Sequence, residues 1–164
     1  MPNLFSATLR PYVLDTSALA DMLERHYPPE LFPQVQDMLE TLAHDRRLIV
    51  PYDVYSELST SPVVAWLDSL DSVVHDLDNN VQITLGSVMS AVGAEMVNPR
   101  GTKNAADPIV VAFAKTYRGT VVTAEKSNPG SKWKKIPDAC AELSVACLSV
   151  IDFLHQERHL MARP

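Results

Sequence analysis

Four acidic residues of this sequence stand at positions where a folded chain would bring them together. Asp15 follows the short apolar run 12–14, and Glu125 follows closely on the run 120–123. Both runs have the composition of buried strands. Because ligands of open α/β sheets bind beyond the carboxyl ends of the strands, we expect Asp15 and Glu125 to face one cleft.

Two further acids are candidates for the same cleft. Asp107 stands at the start of a strongly apolar helical pattern, and Glu57 lies early in a helix predicted after the second strand. Taken alone, Asp107 could be a helix N-terminal charge and Glu57 a surface glutamate. Together the four carboxylates suit Mg²⁺ or Mn²⁺, because these cations prefer oxygen ligands. Such ions promote in-line displacement at a phosphodiester, and this is the chemistry we predict.

Strands and helices alternate around these residues. Apolar runs predict strands at 12–14, 48–50, 120–123 and 145–148. Helical spacing predicts helices at about 31–43, 53–58, 62–77, 81–97, 109–117 and 138–143, with a last helix beginning near 149 or 152. The alternation predicts an α/β fold in which helices cover both faces of a short parallel sheet. We expect one domain over 1–164, with a helical excursion at about 62–98.

The charge of the chain is distributed unevenly. The net charge is −6, yet residues 100–135 hold eight lysines and arginines against two acids. This distribution is typical of a phosphate-binding face on an acidic body, with a solvated basic loop as the alternative. The residues predicted to contact nucleic acid are Lys103, Lys126, Lys132, Trp133, Lys134 and Lys135. Among them the indole of Trp133 is the candidate for stacking on bases.

The composition argues against several other classes of site and protein. The sequence holds no apolar run of about eighteen residues, so we predict no membrane span and a cytoplasmic location. Cys140 and Cys147 are too few for a disulfide framework or a zinc site and are interpreted as buried thiols. His155 and His159 have metal-compatible spacing without a third ligand. A haloacid-dehalogenase-like phosphatase is disfavoured because position 17 is a serine, and a receiver domain because Asp107 opens a helix.

Four blocks of the sequence, taken in order, resemble the signature blocks of PIN domains. The blocks are Val13–Leu19, Val54–Leu58, Ala106–Ala114 and Gly119–Glu125. The resemblance extends from about Tyr12 to Leu154, and Glu125 follows Asp107 at the spacing typical of the family. Within the family, the sequence is most similar to VapC-like toxins of type II toxin–antitoxin pairs. A segment like Lys134–Cys140 is typical of a subgroup of these toxins whose function is unassigned.

The resemblance implies a three-layer α/β/α PIN-like fold and an endoribonuclease that depends on Mg²⁺ or Mn²⁺. The catalytic metal ligands would be Asp15, Glu57, Asp107 and Glu125. Thr16, Ser17 and Thr123 would hold a ligand or a water molecule in place. Many members have aspartate or asparagine at the fourth position, so Asp138 is an alternative fourth ligand.

The resemblance also implies partners. We expect an RNA substrate, a cognate antitoxin and a homodimer, for which the helices at 62–97 offer apolar surface. These apolar residues could equally complete the core. The alternative function is a PIN-like module that binds nucleic acid, or acts as a scaffold, without catalysis.

Overall fold

The computed structural model describes residues 9–98 and 105–162, and within them five parallel strands form one sheet. The strands are β1 (Tyr12–Leu14), β2 (Leu48–Pro51), β3 (Val74–His75), β4 (Thr120–Thr123) and β5 (Ala146–Ser149). Their order across the sheet is β3-β2-β1-β4-β5. The central strand β1 is buried along its whole length, as a strand covered on both faces must be.

Helices make up most of the remaining chain. They are α1 (Thr16–Ala20), α2 (Pro33–His44), α3 (Tyr52–Glu57), α4 (Pro62–Asp68), α5 (Asn79–Val88), α6 (Ala94–Met96), α7 (Asp107–Tyr117), α8 (Ile136–Glu142), α9 (Val150–Gln156) and α10 (Arg158–Met161). Single π-helical segments, Asp21–Arg25 and Met89–Gly93, follow α1 and α5. Within the described ranges, no helix combines the length and the apolar character that a bilayer crossing requires.

The strand order reverses direction between β3 and β4. From β1 the chain moves outward to β2 and β3, and it then returns to place β4 on the other side of β1. Right-handed crossovers therefore put the helices of the two halves on opposite faces of the sheet. Accordingly, α7 packs on β1 and β4 together with α5 and α8, while α2 packs on β2 together with α10. This is the predicted three-layer arrangement, and its topological switch point lies between β1 and β4.

The segment after α4 differs from the prediction. The sequence pattern predicts a helix over 62–77, but α4 ends at Asp68 and residues Val74–His75 form the edge strand β3 beside β2. After the end of α4, the left-handed backbone of Ser72 (φ 59°) turns the chain into Val73, which is buried. The β-branched pair Val73 and Val74 then favours extended backbone.

The junction between α7 and β4 requires a left-handed backbone at Arg118 and a glycine at position 119. Arg118 ends α7 in the left-handed conformation that often terminates helices (φ 52°). The next residue, Gly119, is needed for a different reason. A Cβ at Gly119 would lie 2.7 Å from the carbonyl oxygen of Pro11, where the chain enters β1. Glycine at this position therefore permits the close approach of β4 to β1.

Candidate metal centre

A cleft of about 450 Å³ opens at the carboxyl end of the sheet, at the switch point between β1 and β4. Its lining residues are Asp15, Thr16, Ser17, Ala20, Arg25, Val54, Glu57, Ala106, Asp107, Val110 and Glu125. The four carboxylates predicted as metal ligands thus line one cleft. They arrive from four separate parts of the chain, which only the sheet and the helices around it bring together.

Asp15 is the most constrained of the four. The carboxylate is 4% exposed and accepts a 2.7 Å hydrogen bond from the backbone N–H of Ala18, so it caps the N-terminus of α1. The hydroxyl of Ser17 lies 3.0 and 2.8 Å from its two oxygens, and the hydroxyl of Thr123 donates to Oδ2 at 2.7 Å. Ser17 in turn accepts from the N–H of Ala124 at 3.0 Å. Ser17 and Thr123 therefore fix the orientation of Asp15, which is the supporting role implied by the resemblance.

Glu57 and Glu125 are also held by short contacts. The hydroxyl of Thr16 donates to Oε2 of Glu57 at 2.5 Å, which links α1 to the last residue of α3. Oε2 of Glu125 accepts a 2.9 Å hydrogen bond from the N–H of Ile136 at the start of α8. The ammonium of Lys135 lies 3.9 Å from the other oxygen of Glu125.

Asp107 lies at the first position of α7, and the pKa of its carboxyl group is raised to about 8. The main cause is burial, because the charged form is poorly solvated. Repulsion from Glu125, and then from Asp15 and Glu57, contributes to the same increase. Lys135 opposes the shift. The interaction with all three other acids places Asp107 at the electrostatic centre of the cleft.

The pKa of Asp15 is raised to about 6 for a related reason. Burial is the main cause, and the hydrogen bonds from Thr123, Ala18 and Ser17 partly oppose it. The charge of Glu125 adds to the increase. Perturbed carboxyl groups of this kind, facing one cleft, are typical of functional sites.

Asp138 does not line this cleft. Its carboxylate accepts hydrogen bonds from the hydroxyl of Ser127 and, at 2.9 Å, from the N–H of Asn128. These bonds hold the pKa of Asp138 below its ordinary value. Asp138 thus fastens the loop that follows β4, and Glu125 is the fourth acid that faces the other three.

The predicted nucleic-acid contacts fall into several environments. Lys134 forms ion pairs with Glu95 and Glu142, and its side chain is 16% exposed, so its charge is largely committed within the protein. Lys132 lies over the indole of Trp133, with 5.4 Å between its ammonium and the ring centroid. Lys126 is exposed, and Lys135 adjoins the cleft through Glu125. Lys103 lies outside the described residues.

Arg25 lines the cleft and was missed in the sequence analysis. It ends the π-helical segment after α1, and its guanidinium lies 3.7 Å from Asp21 while the side chain remains 64% exposed. It is the one basic residue in the described lining of a cleft that holds four acids. The sequence gives no strong signal for it, because Asp21 and Arg25 resemble an ordinary i,i+4 surface pair.

The donor set fits a hard divalent cation. All four groups are carboxylates, which Mg²⁺ and Mn²⁺ prefer, and a cation would relieve the repulsion that raises the pKa of Asp107. In the described ranges, no three His, Cys, Asp or Glu side chains converge closely enough to hold one ion as they stand. Glu57 and Glu125 are instead turned toward Thr16 and the N–H of Ile136. Both can rotate about their side-chain bonds, so the site fits the ion in chemistry and would complete its geometry by side-chain movement.

Comparison with solved structures supports the fold. The chain is similar to a chain in the crystal structure of FitAcB from Neisseria gonorrhoeae, with a TM-score of 0.52, 15% sequence identity and coverage of 85% of this chain and 98% of that one. It is also similar to a chain in the structure of VapBC2 from Rickettsia felis bound to a DNA fragment from their promoter. That match has a TM-score of 0.47, 13% identity and coverage of 84% and 97%. The α/β/α PIN-like fold predicted from the sequence is confirmed.

Sequence comparison assigns the family. The sequence matches no curated protein. Residues 12–161, which include all five strands and all four carboxylates of the cleft, match the family model described as domain of unknown function DUF4411. The chain therefore belongs to the DUF4411 family, and its fold is that of a PIN-like domain.

Proposed function

We propose that the chain is a Mg²⁺- or Mn²⁺-dependent endoribonuclease and the toxin of a toxin–antitoxin pair. The observation that carries the proposal is the position of Asp107. Its carboxyl group faces those of Asp15, Glu57 and Glu125 across a cleft at the topological switch point of the sheet. Repelling carboxylates reduce stability, and a cation held by them would give the arrangement a function.

The residues of the cleft have separable roles in this proposal. Asp15, Glu57, Asp107 and Glu125 would hold the cation, which when bound supplies positive charge to the phosphate and acidifies water. Ser17 and Thr123 keep Asp15 oriented through bonds of 2.7–3.0 Å. Thr16 and the N–H of Ile136 hold Glu57 and Glu125 at the edge of the cleft, and these two carboxylates would leave those partners to hold the cation.

Arg25 has a distinct role at the rim of the cleft. Its guanidinium can bind a non-bridging phosphate oxygen, because it is mostly exposed and its one ion pair, at 3.7 Å, is weak. Attraction of an anionic substrate into a cleft lined by four acids requires such a group together with the cation. Lys135, which pairs with Glu125, supplies a second positive charge at the same edge.

The test is cleavage of total RNA with and without Mg²⁺ or Mn²⁺, with cut sites mapped by sequencing. Asp15→Asn, Asp107→Asn and Glu125→Gln should each abolish cleavage. Asp53→Asn, at a half-buried acid in the first turn of α3 outside the cleft lining, should leave it intact. Asp138→Asn tests the alternative fourth ligand, and loss of cleavage there with retention in Glu125→Gln would reverse the assignment. If RNA is bound but never cut, the chain is a binding module.

Antitoxin binding and dimerisation belong to the same proposal, which is supported by the resemblance of the four sequence blocks to VapC-like toxins. The helical segment after β3 carries two exposed apolar residues suited to an interface, Ile83 (72% exposed) and Met89 (42% exposed). Size-exclusion chromatography of the chain alone, and again after co-expression with the product of an adjacent small reading frame, tests both points. A monomer that forms no complex with that product would contradict them.

A further inference from the structure

A second cleft, of about 850 Å³, lies at the amino end of the sheet, opposite the carboxylates. Its lining residues are Leu9, Arg10, Pro11, Asp45, Arg46, Arg47, Tyr117 and Arg118. Half of the eight arginines in the sequence are among them, and none of its six lysines is. The nucleic-acid contacts predicted from the sequence are five lysines and Trp133, and none of these residues lines the second cleft.

Three of these arginines stand at equivalent positions just before neighbouring strands. Tyr12, at the start of β1, pairs in register with Leu48 of β2 and with Thr120 of β4. Arg10, Arg46 and Arg118 each stand two residues before one of these positions. Adjacent strands are about 4.8 Å apart, so these arginines, the arginine row, extend side by side along the sheet edge.

The arginine row is free to bind a ligand. All three side chains are exposed, and in the described part of the chain none of them forms a side-chain hydrogen bond or an ion pair. The fourth arginine, Arg47, differs, because it is half-buried and pairs with Glu157 at 2.7 Å. Arg46 and Arg118 project from residues with left-handed backbone (φ 56° and 52°), one before β2 and one before β4.

We propose that the arginine row is a second nucleic-acid contact, which binds the phosphates of an RNA strand away from the carboxylate cleft. Guanidinium groups bind phosphate oxygens in pairs of hydrogen bonds. The ring of Tyr117 lines the same cleft, is 40% exposed and is held by Phe113 and Asp78, so it offers a surface on which a base can stack. The inference rests on the proposed function only in taking RNA as the ligand.

Asp45 favours RNA over an acidic peptide. This carboxylate lines the cleft among the arginines, and its side chain is 51% exposed. It repels the anionic groups of RNA and of an acidic peptide alike, but RNA also carries ribose 2′-hydroxyls and base amino groups from which it can accept a hydrogen bond, whereas acidic side chains offer it no donor. The five residue steps from Arg10 to Asp15 separate the two edges by about 16 Å along the buried strand β1, so an RNA strand that contacts both edges would pass around the surface of the protein.

The experiment measures binding of a fluorescent single-stranded RNA of about 16 nucleotides by anisotropy, in EDTA so that no cleavage occurs. Arg46→Gln and Arg118→Gln are compared singly and together, over a range of salt concentrations. Arg158→Gln is the matched control, because this exposed arginine of α10 lies outside the cleft lining. Thermal unfolding confirms that each variant is folded. A polyglutamate peptide serves as the competing anion.

Each lost phosphate contact should lower the slope of log affinity against log salt by about 0.7, so the double variant should bind about tenfold more weakly near 0.15 M salt. The control should bind as the parent protein does. Equal binding by all variants, or equal weakening in the control, would overturn the proposal. Displacement of RNA by polyglutamate, added at the same total negative charge as the RNA, would also overturn the proposal. Binding that depends on the arginine row, in a protein that never cuts RNA, would uphold this inference and refute the nuclease proposal alone.

Discussion

The hydroxyl of Thr123 donates a 2.7 Å hydrogen bond to Oδ2 of Asp15 and so joins the carboxyl ends of β4 and β1. The hydroxyl oxygen of Thr123 also accepts a 3.0 Å hydrogen bond from the backbone N–H of Glu125, which helps to position a second acid of the cleft. One buried side chain thereby positions two candidate ligands. The first prediction follows from this contact.

Thr123→Val should destabilise the protein by about 1–3 kcal/mol, because a buried carboxylate and a backbone N–H each lose a partner while the side-chain volume is kept. The pKa of Asp15 should rise above about 6, since the Thr123 hydrogen bond lowers it. Urea unfolding and NMR titration of the Asp15 carboxyl measure the two effects. The control is Thr120→Val on the same strand, where the half-buried hydroxyl has no hydrogen bond within the described ranges. Similar effects in both variants would contradict the assignment.

Stability in EDTA should fall as the pH rises toward 8. The pKa values of Asp15 and Asp107 are raised from 3.8 to about 6 and about 8, so the folded protein binds protons more tightly than the unfolded chain. Their contribution is therefore fully present below pH 3.8 and is lost as the pH passes through the raised values. Thermal melting across this pH range measures the loss. Asp107→Asn should flatten the profile, and an unchanged slope would show that Asp107 is not buried among charges.

Divalent cations should reverse this loss. At pH 8, Mg²⁺ or Mn²⁺ at 100 times its dissociation constant should stabilise the protein by about 2.7 kcal/mol. The effect should shrink near pH 5, where protons compete for the carboxylates, and should vanish in Asp107→Asn. Melting curves with the metal chlorides, and with NaCl at matched ionic strength, check this result. Equal stabilisation by NaCl would indicate screening instead of binding.

Arg25→Gln should reduce kcat/KM for RNA cleavage by about tenfold to a hundredfold, because the substrate phosphate loses a charged donor. Stability should change by less than about 0.5 kcal/mol, since the side chain is 64% exposed and its ion pair with Asp21 is weak. Arg25→Lys should recover part of the activity, because it keeps the charge without the planar fork. Arg158→Gln is the charge-matched control, and an equal loss there would point to general electrostatics.

Glu157→Gln should cost about 3 kcal/mol or more, because it leaves Arg47 without its partner carboxylate. Glu157 is 3% exposed, accepts from Tyr12 at 2.5 Å and pairs with Arg47 at 2.7 Å. Burial would raise its pKa, but Arg47 and Tyr12 hold it below the ordinary value. Its contribution is therefore lost as the pH falls through that lowered value. Urea unfolding beside Glu30→Gln, an exposed glutamate, checks the effect, and equal midpoints would contradict it.

The sequence by itself determined the main elements and the order in which they occur. The strands at 12–14 and 120–123 and the apolar helix after Asp107 form as predicted, because the periodicity of apolar residues is a local property of the chain. The sequence also predicted that Asp15 and Glu125 lie at one edge of the sheet, because each follows a predicted strand and the carboxyl ends of parallel strands lie at the same edge. Glu57 was predicted both from its position in a helix after the second strand and from the resemblance.

Only the tertiary structure decided which residues meet. Asp138 and Glu125 were both candidates for the fourth ligand from the sequence. In the structure, Asp138 accepts a hydrogen bond from the loop after β4, whereas Glu125 lines the cleft and accepts one from the start of α8. The ion pairs of Lys134 with Glu95 and Glu142 likewise depend on tertiary packing, because the three residues lie on separate segments of the chain. No local sequence pattern identifies Arg25 or the arginine row, because the residues that line each cleft with them come from distant parts of the chain. Local side-chain chemistry determines that Asp15 and the other acids are oxygen donors, and the fold of the sheet and its helices determines which of them face one cleft.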